Sequence, residues 1–372
     1  MGVAWTLSAN ADETSEVEIP AVTAAAADPG FTPPPLLPWG ERPHKTRRGK
    51  AGASSAALAA AGADAAPADT SGSLVPRPEF APKGRTSQDS VLRSMKTTLV
   101  PPNPPALAPA PTPTSSSGPL TARFEYAGGR QSAETDGNYA NLPIYKPELA
   151  RGDYHTLVEL AVQSADGRQI IEVGWNVDRF INKGSADPHL FVYYWVDKKA
   201  QCYNCDFTSL YPTSVKPGDT LPVEPPDEEG HPVGAARRFA IQHFGGAWWI
   251  AYETEWIGYF PDSLWDGKFT KVGLTQWFGE IATSAPLGET TCTDMGNGLK
   301  PLPPPPPPKE GDPPPPPLPK DYAARVGSIN HTNGPPLVIE YPDTSNTNPK
   351  YYPSQPVSDR TFRYGGPGTG PC

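Results

Sequence analysis

An antiparallel β-sandwich is the fold class predicted for this 372-residue chain, and three features of the part beyond residue 120 predict it. From about residue 121 the chain consists of short runs rich in Val, Ile, Tyr, Phe and Trp, recurring roughly every ten residues. Turn formers separate the runs, among them the Asp-Gly of "QSADGRQ" and the Gly-Gly of "HFGGAWW". No helical period extends over a comparable length.

Residues 1–120 are rich in Ala, Pro, Ser and Thr and carry too little large apolar surface to offset the entropy of ordering them. They read as a largely disordered pro-region or linker. One island inside them, "GRTSQDSVLRSM", is expected to form a short helix near 87–96, with Val91, Leu92 and Met95 in its apolar stripe. Residues 121–372 are expected to form a single sandwich domain. The runs 154–163 and 168–177 are hairpin neighbours through the Asp-Gly turn, and 238–244 joins 247–255 through the Gly-Gly. Further strands come from "LFVYYWV", "WIGYF" and "VGLTQWFGEIA", the last spanning 272–282. The polyproline stretch 301–319 must be extended and solvated. Because "DYAARVGSI" and "PLVIEY" beyond it again read as strands, it is taken as a loop inserted near the end of the same domain.

Composition removes several classes of function. A net charge of −9 and the lack of a basic stripe argue against a nucleic-acid partner. No run of 18 apolar residues exists to span a bilayer. The first residues lack the basic start and apolar core of a secretory signal, while Met-Gly-x-x-x-Thr fits a myristoylation pattern only loosely. Six scattered histidines and four cysteines offer no zinc spacing, so neither metal nor other cofactor is expected. The even cysteine count, with one cysteine closing a Gly/Pro-rich tail, suggests Cys292 with Cys372 and Cys202 with Cys205, although four cysteines permit three pairings. Such bridges imply an oxidising compartment, hence secretion or the cell envelope. A monomer is expected.

The strand "RQIIEVGWNV" poses the chemical question. Alternation puts Ile171, Val173, Trp175 and Val177 on one face, and Ile170, Glu172, Gly174 and Asn176 on the other. Glu172 is then either a solvated residue on a half-exposed strand or a carboxylate kept in a core strand for a purpose. A second strand repeats the oddity, with Gln276, Phe278 and Glu280 sharing a face. Serine-hydrolase, phosphate-loop, zinc-protease and dinucleotide motifs are all absent, which leaves carboxylate chemistry.

The succession "IIEVGWNV", "LFVYYWV", "CYNCDF", "GGAWWIAYETEWIGYFPDSLW", "WFGEI" and "TTCTDMGNG" resembles, in order over about residues 121–300, the catalytic domain of the neprosin family of glutamic peptidases. "GRTSQDSVLRSM" is similar to a segment preceding that domain in plant members. The resemblance implies a metal-free endopeptidase cleaving after proline, with Glu172 and Glu280 as the catalytic pair, acting on a peptide or protein substrate rich in proline. Two carboxyl groups facing one water cannot both ionise easily, so one serves as base and the other as acid. Asn176, Tyr194 and Gln276 are candidates for binding the substrate backbone or oxyanion, set against ordinary hydrogen bonding within the sheet.

Three departures from the family pattern stand out. Phe278 occupies a glycine position beside Glu280, Cys202 and Cys205 stand close together, and the N-terminal composition is unlike that of the plant pro-regions. Two rival readings remain: a non-catalytic β-sandwich binding module for proline-rich peptide or cell-wall polysaccharide, and a structural envelope protein with an extended arm.

Overall fold

The computed structural model describes residues 31–44, 86–88 and 121–372, apart from 180, 183, 202, 211–212, 287–288, 304–319 and 321. In chain order its strands are β1 (Thr86–Gln88), β2 (Thr121–Thr135), β3 (Gly137–Ile144), β4 (His155–Gln163), β5 (Ile170–Val177), β6 (His189–Val196), β7 (Lys199–Ala200), β8 (Thr208–Ser209), β9 (Ala235–Phe244), β10 (Ala247–Tyr252), β11 (Glu255–Pro261), β12 (Val272–Thr283), β13 (Arg325–Thr332), β14 (Ser354–Ser358) and β15 (Thr361–Tyr364). They make two antiparallel sheets. The first has the order β1-β2-β12-β4-β5-β6-β7, the second β14-β15-β13-β3-β9-β10-β11-β8.

The expected hairpins are present and their turns explain them. Between β4 and β5, Gly167 takes a φ of 68°, and its N–H donates to the Ser164 carbonyl at 2.9 Å. That left-handed position suits the glycine of Asp-Gly. The β9–β10 connection uses two left-handed glycines in the same way, Gly245 and Gly246. On the inner faces Val158, Leu160, Val173, Trp175, Trp277 and Ile281 of the first sheet meet Phe239, Ile241, Trp248, Ile250 and Phe260 of the second in one core cluster. Trp175 also ties the layers together by donating its indole N–H to the Pro143 carbonyl at 2.8 Å.

Beyond the proline run, β13 enters the second sheet between β3 and β15, so the chain on either side of that run builds one sandwich. The C-terminus is tied back by Cys292–Cys372, with Cα atoms 5.2 Å apart. Cys205 is disulfide-bonded as well, while Cys202 lies outside the described residues.

Two parts of the N-terminal region differ from the reading given them. Ser87 and Gln88 do not open a helix; they lie in β1, paired to Ala122 and Thr121 at the edge of β2. An open strand edge offers a row of unused backbone groups, which outcompetes the weak helix preference of a Thr-Ser start. Residues 89–96 fall outside the described set. Residues 31–44, inside the region read as largely disordered, pack on the outer face of the second sheet, where Leu37 is buried.

Candidate active site

Three strands of the first sheet determine which side chains meet on its outer face. Directly opposed residues in antiparallel ladders share a face. Gln276 of β12 lies opposite Ala161 of β4, which lies opposite Glu172 of β5. One step along, Phe278, Glu159 and Gly174 form the next row; beyond it come Glu280, Leu157 and Asn176. Glu172 and Glu280 thus occupy one face, with β4 between them and an offset of four residues. At ~4.8 Å between strands and ~3.4 Å per residue, their Cα atoms would be about 17 Å apart on a flat lattice. Glu159 sits at the midpoint of that diagonal.

Local sequence produces this arrangement. In Glu-Val-Gly-Trp, Glu172 and Gly174 face outward while Val173 and Trp175 enter the core. Gly174 has to lack a side chain, because a Cβ there would lie 2.0 Å from the Val158 carbonyl oxygen and 2.9 Å from Glu159 Cβ. Gly128 does the same for Phe278, whose Cβ would be 2.5 Å from one built on the glycine. The released space admits the phenyl ring, which meets Tyr126 edge-on at 5.7 Å. Phe278, the departure from the family pattern, therefore stands in the row of Glu159, between the two predicted glutamates.

All three glutamates are fully buried, so the solvated reading of Glu172 does not hold. Their partners differ. Glu172 Oε1 accepts the indole N–H of Trp195 at 2.7 Å, a neutral donor. Glu280 Oε1 lies 2.8 Å from His155 Nε2, and His155 Nδ1 lies 3.6 Å from Asp178 Oδ2. His155 thus stands between two carboxyl groups, all three are buried, and a proton on its ring would make both contacts charge-assisted. Neither His155 nor Glu159 had been singled out from the sequence. Both follow the pattern that flagged Glu172, a titratable residue in an otherwise apolar strand.

The predicted substrate-binding residues divide. Asn176 and Gln276 face the carboxylates but are engaged: Gln276 Oε1 accepts from Gln163 Nε2 at 2.8 Å, while Asn176 donates to the Tyr203 hydroxyl and accepts from Asn182 Nδ2 at 3.1 Å. Tyr194 is corrected. It lies opposite Ile171 on the inner face, packs in the central core and donates its hydroxyl to Asp206 Oδ2 at 2.9 Å. Burial and that carboxylate raise its ionisation above the phenol range. Alternation puts Tyr193, not Tyr194, in the row of Glu172. The tyrosine that does reach the carboxylate face from outside the sheet is Tyr203, which packs on Phe191 and Tyr193. Packing first, then the charge of Asp178, keeps its hydroxyl protonated far above the ordinary value, despite the opposing bond from Asn176.

Among the described residues, Asp227, Glu229 and His231 are the one group with metal-ligating atoms within 4.8 Å of one another. They sit at the surface, away from the glutamates, and His231 is stacked on Tyr322 at 3.8 Å. No helix among the described residues is long and apolar enough to cross a membrane.

Residues 153–306, which include β4, β5 and β12, match the family model Neprosin. Among solved structures, scytalido-glutamic peptidase with a transition state analog inhibitor is similar at a TM-score of 0.34 and 8% identity, over 66% of this chain and 98% of that one. SCP-B, a member of the eqolisin family of peptidases solved with the tripeptide Ala-Ile-His, gives 0.31 and 8% over the same shares, 66% and 98%. Chicken galectin 2 gives 0.23 and 6%, over 44% of this chain and 94% of its own. At these scores the three likenesses carry no weight for fold or chemistry.

Proposed function

We propose, with the neprosin domain carried by residues 153–306 as the premise, that this protein is a glutamic peptidase hydrolysing peptide bonds after proline in acid. The observation that supports this most is a sheet face with buried carboxyl groups held by unlike partners, inside the stretch that matches the family. Glu159 stands midway between Glu172 and Glu280 on this face, and burial of all three carboxyl groups disfavours ionising every one of them, so acid and base roles are divided among them.

Glu280 is the general base in this reading. His155, which faces Asp178 on its other side, favours the Glu280 carboxylate by a hydrogen bond that becomes charge-assisted once its ring is protonated. Glu172, whose Oε1 accepts the neutral indole N–H of Trp195, is the acid in this reading. Glu280 takes a proton from water as the water oxygen attacks the scissile carbonyl. Glu172 gives its proton to the leaving nitrogen as the C–N bond breaks. Glu159, between them, lies under the bound peptide, and the Tyr203 hydroxyl is a donor within the same face.

Because both catalytic carboxylates have no exposure, substrate reaches them only after covering groups move. We take the present chain as a precursor whose N-terminal 120 residues leave on activation. A strand from that region, β1, is paired to the same sheet, which supports this reading. The Cys292–Cys372 bridge, with no free cysteine among the described residues, fits an oxidising, extracellular setting for a monomer.

The test is cleavage of a proline-containing peptide, followed by mass spectrometry across acid to neutral pH. Glu172→Gln and Glu280→Gln are each expected to lose about 10³-fold in kcat/KM while keeping the wild-type circular dichroism. Turnover that survives both substitutions rules the pair out. If Glu159→Gln alone abolishes turnover and Glu172→Gln does not, the acid is Glu159.

A further inference from the structure

The outer face of the second sheet carries a feature that the peptidase reading does not use. Its cross-strand rows run Tyr139, Ala240, Ala251, Trp256 and, one step along, Gln242, Trp249, Tyr259. Two adjacent alanines between a tyrosine and a tryptophan form a shallow floor with aromatic walls. Residues 31–44, "FTPPPLLPWGERPH", cross that floor. Pro34 and Leu37 are buried against it, on either side of a bend at Pro35 and Leu36, and the chain then turns with the Gly40 N–H donating to the Leu37 carbonyl at 2.8 Å. The Pro34 carbonyl accepts the indole N–H of Trp256 at 3.1 Å. Phe31 meets Tyr259 edge-on at 5.3 Å, and Trp39 meets Tyr139 at 6.0 Å. Arg238 lies 4.9 Å over the Trp39 ring and forms an ion pair with Glu41 at 2.9 Å. Further along, the His44 N–H donates to the Thr254 carbonyl at 2.9 Å.

We infer that this face is a binding site for proline-rich peptide, with residues 31–44 as its resident ligand, held by these contacts and not by the chain that connects them. The chemistry selects proline. The Pro34 carbonyl meets a tryptophan N–H donor, and the surrounding prolines hold Phe31, Leu37 and Trp39 at the spacing with which they meet the aromatic walls. A tether of 41 residues (45 to 85) between His44 and β1 raises the arm's local concentration well above micromolar, so cutting it is what separates the contribution of the contacts from that of the connection. The site lies on the opposite side of the sandwich from the carboxylates, so it stands whether or not the protein is a peptidase.

Cutting the tether in full-length protein tests it. A site-specific protease sequence is introduced at residue 60 and cleaved, and the products pass through gel filtration at low micromolar concentration. The N-terminal fragment is expected to co-elute with the body, and Leu37→Asp, a change in the arm alone, is expected to release it. A labelled synthetic peptide of residues 31–44 should then bind the emptied body, at least tenfold more weakly when Trp256 is changed to Phe. Elution of the wild-type fragment on its own overturns the site. Equal binding of a peptide with Pro33, Pro34 and Pro35 all replaced by alanine overturns the assignment to proline.

Discussion

The first sheet turns Glu159, Glu172 and Glu280 outward, the second turns Ala240, Ala251, Trp249 and Trp256 outward, and both rows are buried. In an antiparallel sandwich the outer faces normally meet water and read as polar. Here one face holds groups that lose by leaving water, and the other holds groups that gain. The aromatic face lowers the free energy of the fold by burying apolar area against the arm. The acidic face raises it, since buried carboxylates need partners to offset their desolvation. A sequence under selection for stability alone would repeat the second pattern, which makes the first a mark of function.

Substitutions should therefore separate the faces. Trp249→Ala removes a fully buried indole and is expected to cost about 3–5 kcal/mol of stability in denaturant titrations, with turnover per folded molecule unchanged. Equal loss of turnover would break the contrast. Gly174→Ala forces a Cβ against the β4 backbone and should cost about 3 kcal/mol, the largest stability effect on the acidic side. A neutral result would mean that Glu159 is not held where described. His155→Gln is expected to lower kcat about tenfold to 100-fold with little change in KM. It should also shift the acid limb of the pH profile, because a protonatable ring 2.8 Å from Glu280 Oε1 is gone while Asp178, Glu159 and Tyr203 remain. A purely structural histidine would leave that limb in place.

The smallest effect concerns His331 in β13. Its ring lies 6.0 Å from that of Trp277, Nδ1–H donates to the Pro335 carbonyl, and Nε2 lies 3.1 Å from Thr275 Oγ1. Burial lowers its ionisation below the ordinary 6.5, against the opposing pull of the Pro335 bond. The folded chain thus binds that proton less tightly than the unfolded chain. The stability tied to this group is present above pH 6.5 and is lost as pH falls through the lowered value. His331→Asn should flatten the slope of stability against pH in that window, measured by urea titration at several pH values.

Much of this was legible from residue order. Alternation in "RQIIEVGWNV" and "LTQWFGEIA" correctly put Glu172 and Glu280 opposite the core, because each strand contains small or polar residues that break the symmetry of its two faces. "HLFVYYWV" has no such break, so Tyr193 and Tyr194 were indistinguishable until register assigned them. Glu159 was passed over because no motif frames it, and its significance comes from pairing with Gly174 and Phe278, two strands that sequence separates by about a hundred residues. Residues 31–44 were hidden by their own prolines. Composition treats such a stretch as unfoldable, yet Phe31, Leu37 and Trp39 among the prolines are what an aromatic surface needs in order to hold it.

The sulfur link between Cys292 and Cys372 closes around everything between those two residues, 80 positions in sequence, including the proline run. A nick anywhere in 304–319 leaves two polypeptides that remain one covalent molecule, with β13, β14 and β15 still fastened to the sandwich. A chain cut within its proline run would therefore hold together, and only a reductant would reveal the cut.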